Sequence, residues 1–187
     1  MAFPSSDLHF ILFPLMAQGH MIPMVEIARM LAQRGVLVTI ITNPFNANRF
    51  KSVNDRAIKA NLKIQVLELK LPLAEVELPE GCQSFDLIPS TALVVKFFDV
   101  ISMLEEPTES MLRRLTPTPS CIISDSGLPW TTGLANRLLV FYGPGCYTYL
   151  CIHIVANTRI LDEIKSDSEY FVLPDLPGRI EVTNPGF

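Results

Sequence analysis

Charge, basic clusters and metal-ligand spacing are all scarce in this chain, and each scarcity removes a class of function. Charged residues make up only 18% of 187 positions, the formal net charge is −4, and no run of Lys or Arg occurs. A nucleic-acid binder needs a basic footprint, so that class is excluded. Four cysteines (Cys82, Cys121, Cys146, Cys151) form no CxxC pair, and their irregular spacing suits reduced thiols in a cytoplasmic protein. Cys146, placed at a helix start, is read as a small buried hydrophobe rather than a reactive thiol. Of the three histidines, His9 falls in a strand and His153 in a helix, so with His20 they make no metal cluster. The first strand is not followed by GxGxxG, and GxxxxGK[ST] and GxSxG are both missing. Dinucleotide, P-loop and nucleophile-elbow chemistries therefore lose their fingerprints. No basic segment precedes the first apolar run, Pro14 cuts that run short, and 147–156 is too short to span a bilayer. The prediction is a cytoplasmic protein with no transmembrane segment.

What is abundant is apolar. Hydrophobic residues reach 49%, enough for a buried core in one globular domain. Leu8 to Phe13 reads as a strand buried on both faces. A helix follows with Met24, Ile27, Ala28 and Leu31 on one side, Pro23 tolerated in its first turn and Gly35 closing it. Val36 to Thr42 predicts a second strand, 43 to about 62 a helical region, and Ile64 to Leu69 a third strand. Three prolines, Gly81 and the acids Glu75, Glu77, Glu80 and Asp86 mark Lys70 to Pro89 as a long surface loop, functional or mobile. Ser90 caps a helix with Leu93, Phe97, Ile101 and Leu104 on one face, which Pro107 breaks or kinks. Cys121 to Ser124 predicts strand four, ending at Asp125. Pro129-Trp130 opens a short helix to about Leu138, Leu139 to Tyr142 is strand five, and a long helix runs to about Ile164. The tail after Tyr170 reads as loop. Five strands with intervening helices predict an α/β, doubly wound parallel sheet.

In the 3-2-1-4-5 order of such a sheet, strands one and four lie together where the winding reverses, and ligands bind beyond their carboxyl ends. His20 follows strand one at a helix N-terminus, whose dipole disfavours imidazolium and leaves a neutral ring able to act as a base. Asp125 ends strand four. The two could face each other there, the carboxylate fixing the tautomer and stabilising the imidazolium that forms. A structural histidine and a helix-capping aspartate are the alternatives for each residue alone.

Several separated stretches resemble one family. Phe13-Pro-Leu-Met-Ala-Gln-Gly-His-Met-Ile-Pro-Met24 and Glu26-Ile-Ala-Arg-Met-Leu-Ala-Gln-Arg-Gly35 are similar to the N-terminus of plant UDP-dependent glycosyltransferases. Leu104-Glu-Glu-Pro107, Pro119-Ser-Cys-Ile-Ile-Ser-Asp125 with Leu128-Pro-Trp130, and Leu161-Asp-Glu-Ile-Lys-Ser-Asp167 follow in the same order. The resemblance implies a GT-B hexosyltransferase of two Rossmann-like domains, of which 1–187 is the N-terminal, acceptor-binding one, incomplete, with the C-terminal UDP-sugar-binding domain missing. It implies His20 as general base assisted by Asp125, and transfer of a sugar such as glucose with inversion and without a metal or other cofactor. UDP-sugar would be a co-substrate, bound only with a C-terminal domain. Gln18, Gly19 and Gly143 would lie near the donor sugar. The 70–89 loop, Phe97, Trp130 and Tyr147 would border the acceptor, a flavonoid, terpenoid or hormone, though plain core packing is an equal reading for the three aromatics.

Three departures accompany this. Without a donor-binding half the chain alone is expected to be inactive. The link before Val140 is shorter than in relatives, which would pull helix or strand out of register and disturb Trp130 and Gly143. The final segment after Thr183 differs. A non-catalytic small-molecule-binding module and a non-functional truncated variant remain open as alternatives.

Overall fold

The computed structural model describes residues 8–134, 137–143, 145–166 and 168–183, and for 145–149 the backbone alone. The chain divides into two compact units, 1–143 and 144–187.

The first unit is built on five parallel strands: β1 (His9–Phe13), β2 (Leu37–Thr42), β3 (Ile64–Glu68), β4 (Cys121–Asp125) and β5 (Leu138–Phe141). Their order is β3-β2-β1-β4-β5, so the winding reverses between β1 and β4. The register aligns Phe13 with Ser124 and Asp125 with Phe141. Side chains alternate between two apolar layers, as the pleat requires. Ile11, Phe13, Ile41 and Ile122 face a layer that contains Phe97, Val100, Ile101 and Leu104. Leu12, Val38, Ile40 and Ile123 face Met24, Ala28 and Ala32 of α1 (Gln18–Ala32). The doubly wound prediction holds, covered on both faces as buried parallel strands need.

Local differences have physical reasons. The 43–62 region is two helices, α2 (Pro44–Arg49) and α3 (Lys51–Lys59), joined at Phe50. Asn43 caps α2 by accepting a hydrogen bond from the Asn46 N–H at 3.0 Å. Pro23 lies in the interior of α1, beyond its first turn, where it cannot donate to the Gly19 carbonyl. The helix after Ser90 is α4 (Val94–Ser102), and it stops at Met103 without help from Pro107. Pro107 sits instead in the first turn of α5 (Glu105–Leu112), where its absent N–H has no intrahelical acceptor to lose.

The 70–89 segment is not an open surface loop. Leu71, Leu73, Leu78 and Cys82 are buried, and 3₁₀ turns occupy Leu73–Val76 and Phe85–Leu87. Its leucines are spaced between the prolines and acids so that the apolar side chains turn inward and the charges outward.

The helix expected before β5 is shorter than the sequence suggests. Pro129–Gly133 forms only a 3₁₀ turn. Strand five pairs with β4 from Leu138 and so begins one residue earlier than expected. On β5, at the sheet's edge, Leu139 is 56% and Val140 49% exposed.

The second unit holds α6 (Gly145–Thr158), a 3₁₀ turn (Ile160–Glu163) and an antiparallel pair, β6 (Tyr170–Val172) with β7 (Glu181–Thr183). The tail predicted as loop is thus a hairpin, with Pro177 and Gly178 between its strands. The side chains of Cys146 and Tyr147, and the residues after Thr183, lie outside the described residues.

Candidate active site

Strand β1 ends at Phe13, and the chain turns through Pro14–Ala17 into α1, which puts His20 in the helix's first turn. Strand β4 ends at Asp125 beside it. The His20 Nδ1 lies 2.8 Å from the Asp125 Oδ2. The carboxylate is fully buried and the imidazole 22% exposed. The other carboxylate oxygen, Oδ1, accepts the Gly127 N–H at 2.9 Å. Both oxygens of Asp125 are therefore committed, and a carboxylate accepts only, so Nδ1 carries the proton of a neutral His20 ring. The lone pair is then on Nε2.

The turn carrying His20 is clamped from the 70–89 segment. Ala17 supplies no side-chain cap to α1. The role falls to Asp86, whose Oδ1 accepts the Gln18 N–H at 3.1 Å. Arg49, the last residue of α2, grips the same carboxylate with both guanidinium nitrogens, at 3.2 and 2.7 Å. Ser84 donates to Asp86 at 2.6 Å, and Phe85 N–H donates to the Met16 carbonyl at 2.6 Å. The Arg49 guanidinium, aided by Ser84 and the Gln18 N–H, holds the Asp86 carboxyl well below its ordinary 3.8 despite an opposing push from partial burial. Asn43 adds a hydrogen bond to the Gln83 carbonyl at 2.6 Å. Sequence reasoning missed this clamp. Its partners are 37 and 68 positions apart and follow no period, so the acidity of the segment was the only signal.

The other expected residues differ in their surroundings. Gly143 leaves β5 and its backbone lies directly against the His20 ring. Gln18 and Gly19 are exposed at the head of α1. Phe97 is wholly buried in the core, edge-on to Phe85 at 5.8 Å and Phe98 at 6.1 Å. Trp130 is half-buried and meets Phe13 edge-on at 5.4 Å, next to the end of β1. Tyr147 belongs to the second unit, and its side chain is outside the described residues. An apolar slot of about 30 Å³ lined by Met21, Val25, Phe50, Val53 and Ala57 involves neither His20 nor Asp125. Among the described residues no group of His, Cys, Asp and Glu is arranged to hold a metal.

His9 is a different kind of histidine. It is fully buried at the opposite end of β1, bonded to the Pro117 carbonyl and the Thr39 hydroxyl, each at 2.7 Å. Both ring nitrogens are satisfied, which is a structural role.

No family model matches the chain. It is 55% identical over 190 residues to UDP-glycosyltransferase 73E1 of Stevia rebaudiana, covering 98% of this chain and 38% of that protein. The chain is a homologue of the plant UDP-glycosyltransferases. UDP-glycosyltransferase 73C10 of Barbarea vulgaris is 50% identical, again over 97% of this chain and 38% of its own length. The chain thus spans well under half the length of these relatives.

Among solved structures, Glycyrrhiza uralensis UGT73P12, complexed with glycyrrhetinic acid 3-O-monoglucuronide, superposes with a TM-score of 0.67 at 27% identity. That match covers 94% of this chain and 36% of the other. Arabidopsis thaliana UGT89C1, complexed with quercetin, gives a TM-score of 0.56 at 26% identity over 68% of this chain and 32% of its own. The sheet is accordingly that of the N-terminal domain of the GT-B fold. No helix among the described residues is long and apolar enough to cross a membrane.

Proposed function

We propose that this chain is the acceptor-binding part of a UDP-sugar-dependent glycosyltransferase, with His20 as the general base and Asp125 as its partner. The observation that carries the reading is the 2.8 Å contact between them at the reversal of the sheet. Relatives at 50–55% identity named as UDP-glycosyltransferases support it.

An acceptor hydroxyl near Nε2 would give its proton to that nitrogen as its oxygen bonds to the sugar's anomeric carbon. The bond from that carbon to the UDP oxygen breaks, and UDP leaves with the electron pair. Attack from the side opposite UDP inverts the carbon. Asp125 stabilises the imidazolium formed, which a buried and otherwise satisfied carboxylate does without taking the proton. Glucose as the sugar and a terpenoid, flavonoid or hormone as the acceptor complete the proposal. Relatives crystallised with glycyrrhetinic acid 3-O-monoglucuronide and with quercetin favour polycyclic plant acceptors. Most contacts to UDP are assigned to a donor-binding domain, which the remainder of the relatives' length would supply.

The test uses the chain joined to such a donor-binding half. His20→Ala should lower turnover about 10²–10⁴-fold, the usual worth of a positioned base, with acceptor affinity little changed. Unchanged turnover would refute the assignment.

A further inference from the structure

We infer that Gly143 is a positioning residue for the His20–Asp125 pair, its missing side chain being the space in which the imidazole sits. The inference deepens the reading of His20 as the base and rests on it for its catalytic meaning.

The register brings Gly143 there. Phe141 stands opposite Asp125 in the β4–β5 ladder, and the Ser126 N–H donates to the Phe141 carbonyl at 2.9 Å. Two residues further on, Gly143 passes over the end of β4 and meets the His20 ring. A β-carbon on Gly143 would fall onto Nδ1 and Cγ, with Cε1 2.7 Å away. Those atoms belong to the side of the ring that is bonded to Asp125. By contrast, a β-carbon on Gly19, adjacent to His20 in sequence, would meet nothing within 4 Å.

Backbone conformation is not the reason for glycine at this position. Among the described glycines Gly35 and Gly178 take positive φ, and Gly143 does not. A positive φ therefore does not bar alanine at 143, and the three atoms nearest its β-carbon all belong to the imidazole. The carboxylate cannot follow a displaced ring, because it is fully buried and its second oxygen is held by the Gly127 N–H. A methyl group at 143 would thus separate His20 from Asp125.

The 187-residue chain itself serves for the test. Its three histidines make the imidazole protons assignable by NMR, the His20 Nδ1 proton being identified by its loss in His20→Ala. Gly143→Ala should abolish that resonance and leave the His9 signals in place. Melting temperatures of wild type, His20→Ala, Gly143→Ala and the double variant form a cycle. The loss caused by Gly143→Ala should vanish once His20 is alanine. Should Gly143→Ala alone fail to fold, the double variant should fold. A retained Nδ1 resonance, an equal loss in both backgrounds, or an unfolded double variant overturns the inference. Neither readout involves sugar transfer, so failure here leaves the base assignment standing. Turnover surviving in His20→Ala would sink that assignment without affecting these results.

Discussion

At the scale of single residues, Asp86 shows how far a charge can act from the segment that carries it. Its carboxylate caps α1 and ties together α2, the 70–89 segment and the turn leading to His20. Because its folded pKa is depressed, the stabilisation is fully present above the ordinary value of 3.8 and is lost as pH falls below it. Urea midpoints between pH 6 and 3 should therefore fall more steeply for wild type than for Asp86→Asn. At pH 7 the substitution should cost about 1 kcal/mol, since the ion pair is partly open to solvent. Parallel pH curves would remove this role.

His20 and Asp125 were legible because one opens the helix after strand one, the other ends strand four, and the order of the strands makes them neighbours. Asp86 was not, since its value depends on a fold-back that no spacing encodes. Phe97 illustrates the opposite limit: an aromatic at helical period serves core and pocket equally well on paper, and the core holds it.

At the scale of elements, the link between β4 and β5 is the place where sequence and fold compete. The strand is fully paired with β4, while the segment before it forms only a 3₁₀ turn. Residues with the pattern of a covered strand are left facing solvent at the sheet's edge, an arrangement prone to association. Val140→Lys should leave the melting temperature nearly unchanged and reduce self-association in light scattering at high protein concentration. A large loss of stability would mean that Val140 is covered in solution. The β6–β7 hairpin escaped sequence reading for another reason. Its strands are three residues each, too short for alternation to register against the neighbouring prolines and glycine.

At the scale of the molecule, the sheet sets the His20–Asp125 pair at one end and the buried His9 at the other. Trp130, the only tryptophan, packs on Phe13 where β1 gives way to the His20 turn. On the proposed acceptor-binding function, titrating the chain with quercetin should quench its fluorescence saturably. Absence of saturable quenching would count against the acceptor-binding reading. Incubation with UDP-glucose and the same flavonol should yield no glucoside from these 187 residues alone.

The capped head of α1 has one more consequence. A helix start usually offers its partial positive charge to incoming anions, yet here a carboxylate of the same chain is already in residence. The Arg49 guanidinium neutralises that carboxylate, so the turn presents an already paired N–H and no net charge to an incoming anion. On the function proposed above, this turn would meet the uncharged hydroxyls of a sugar or an acceptor rather than a phosphate.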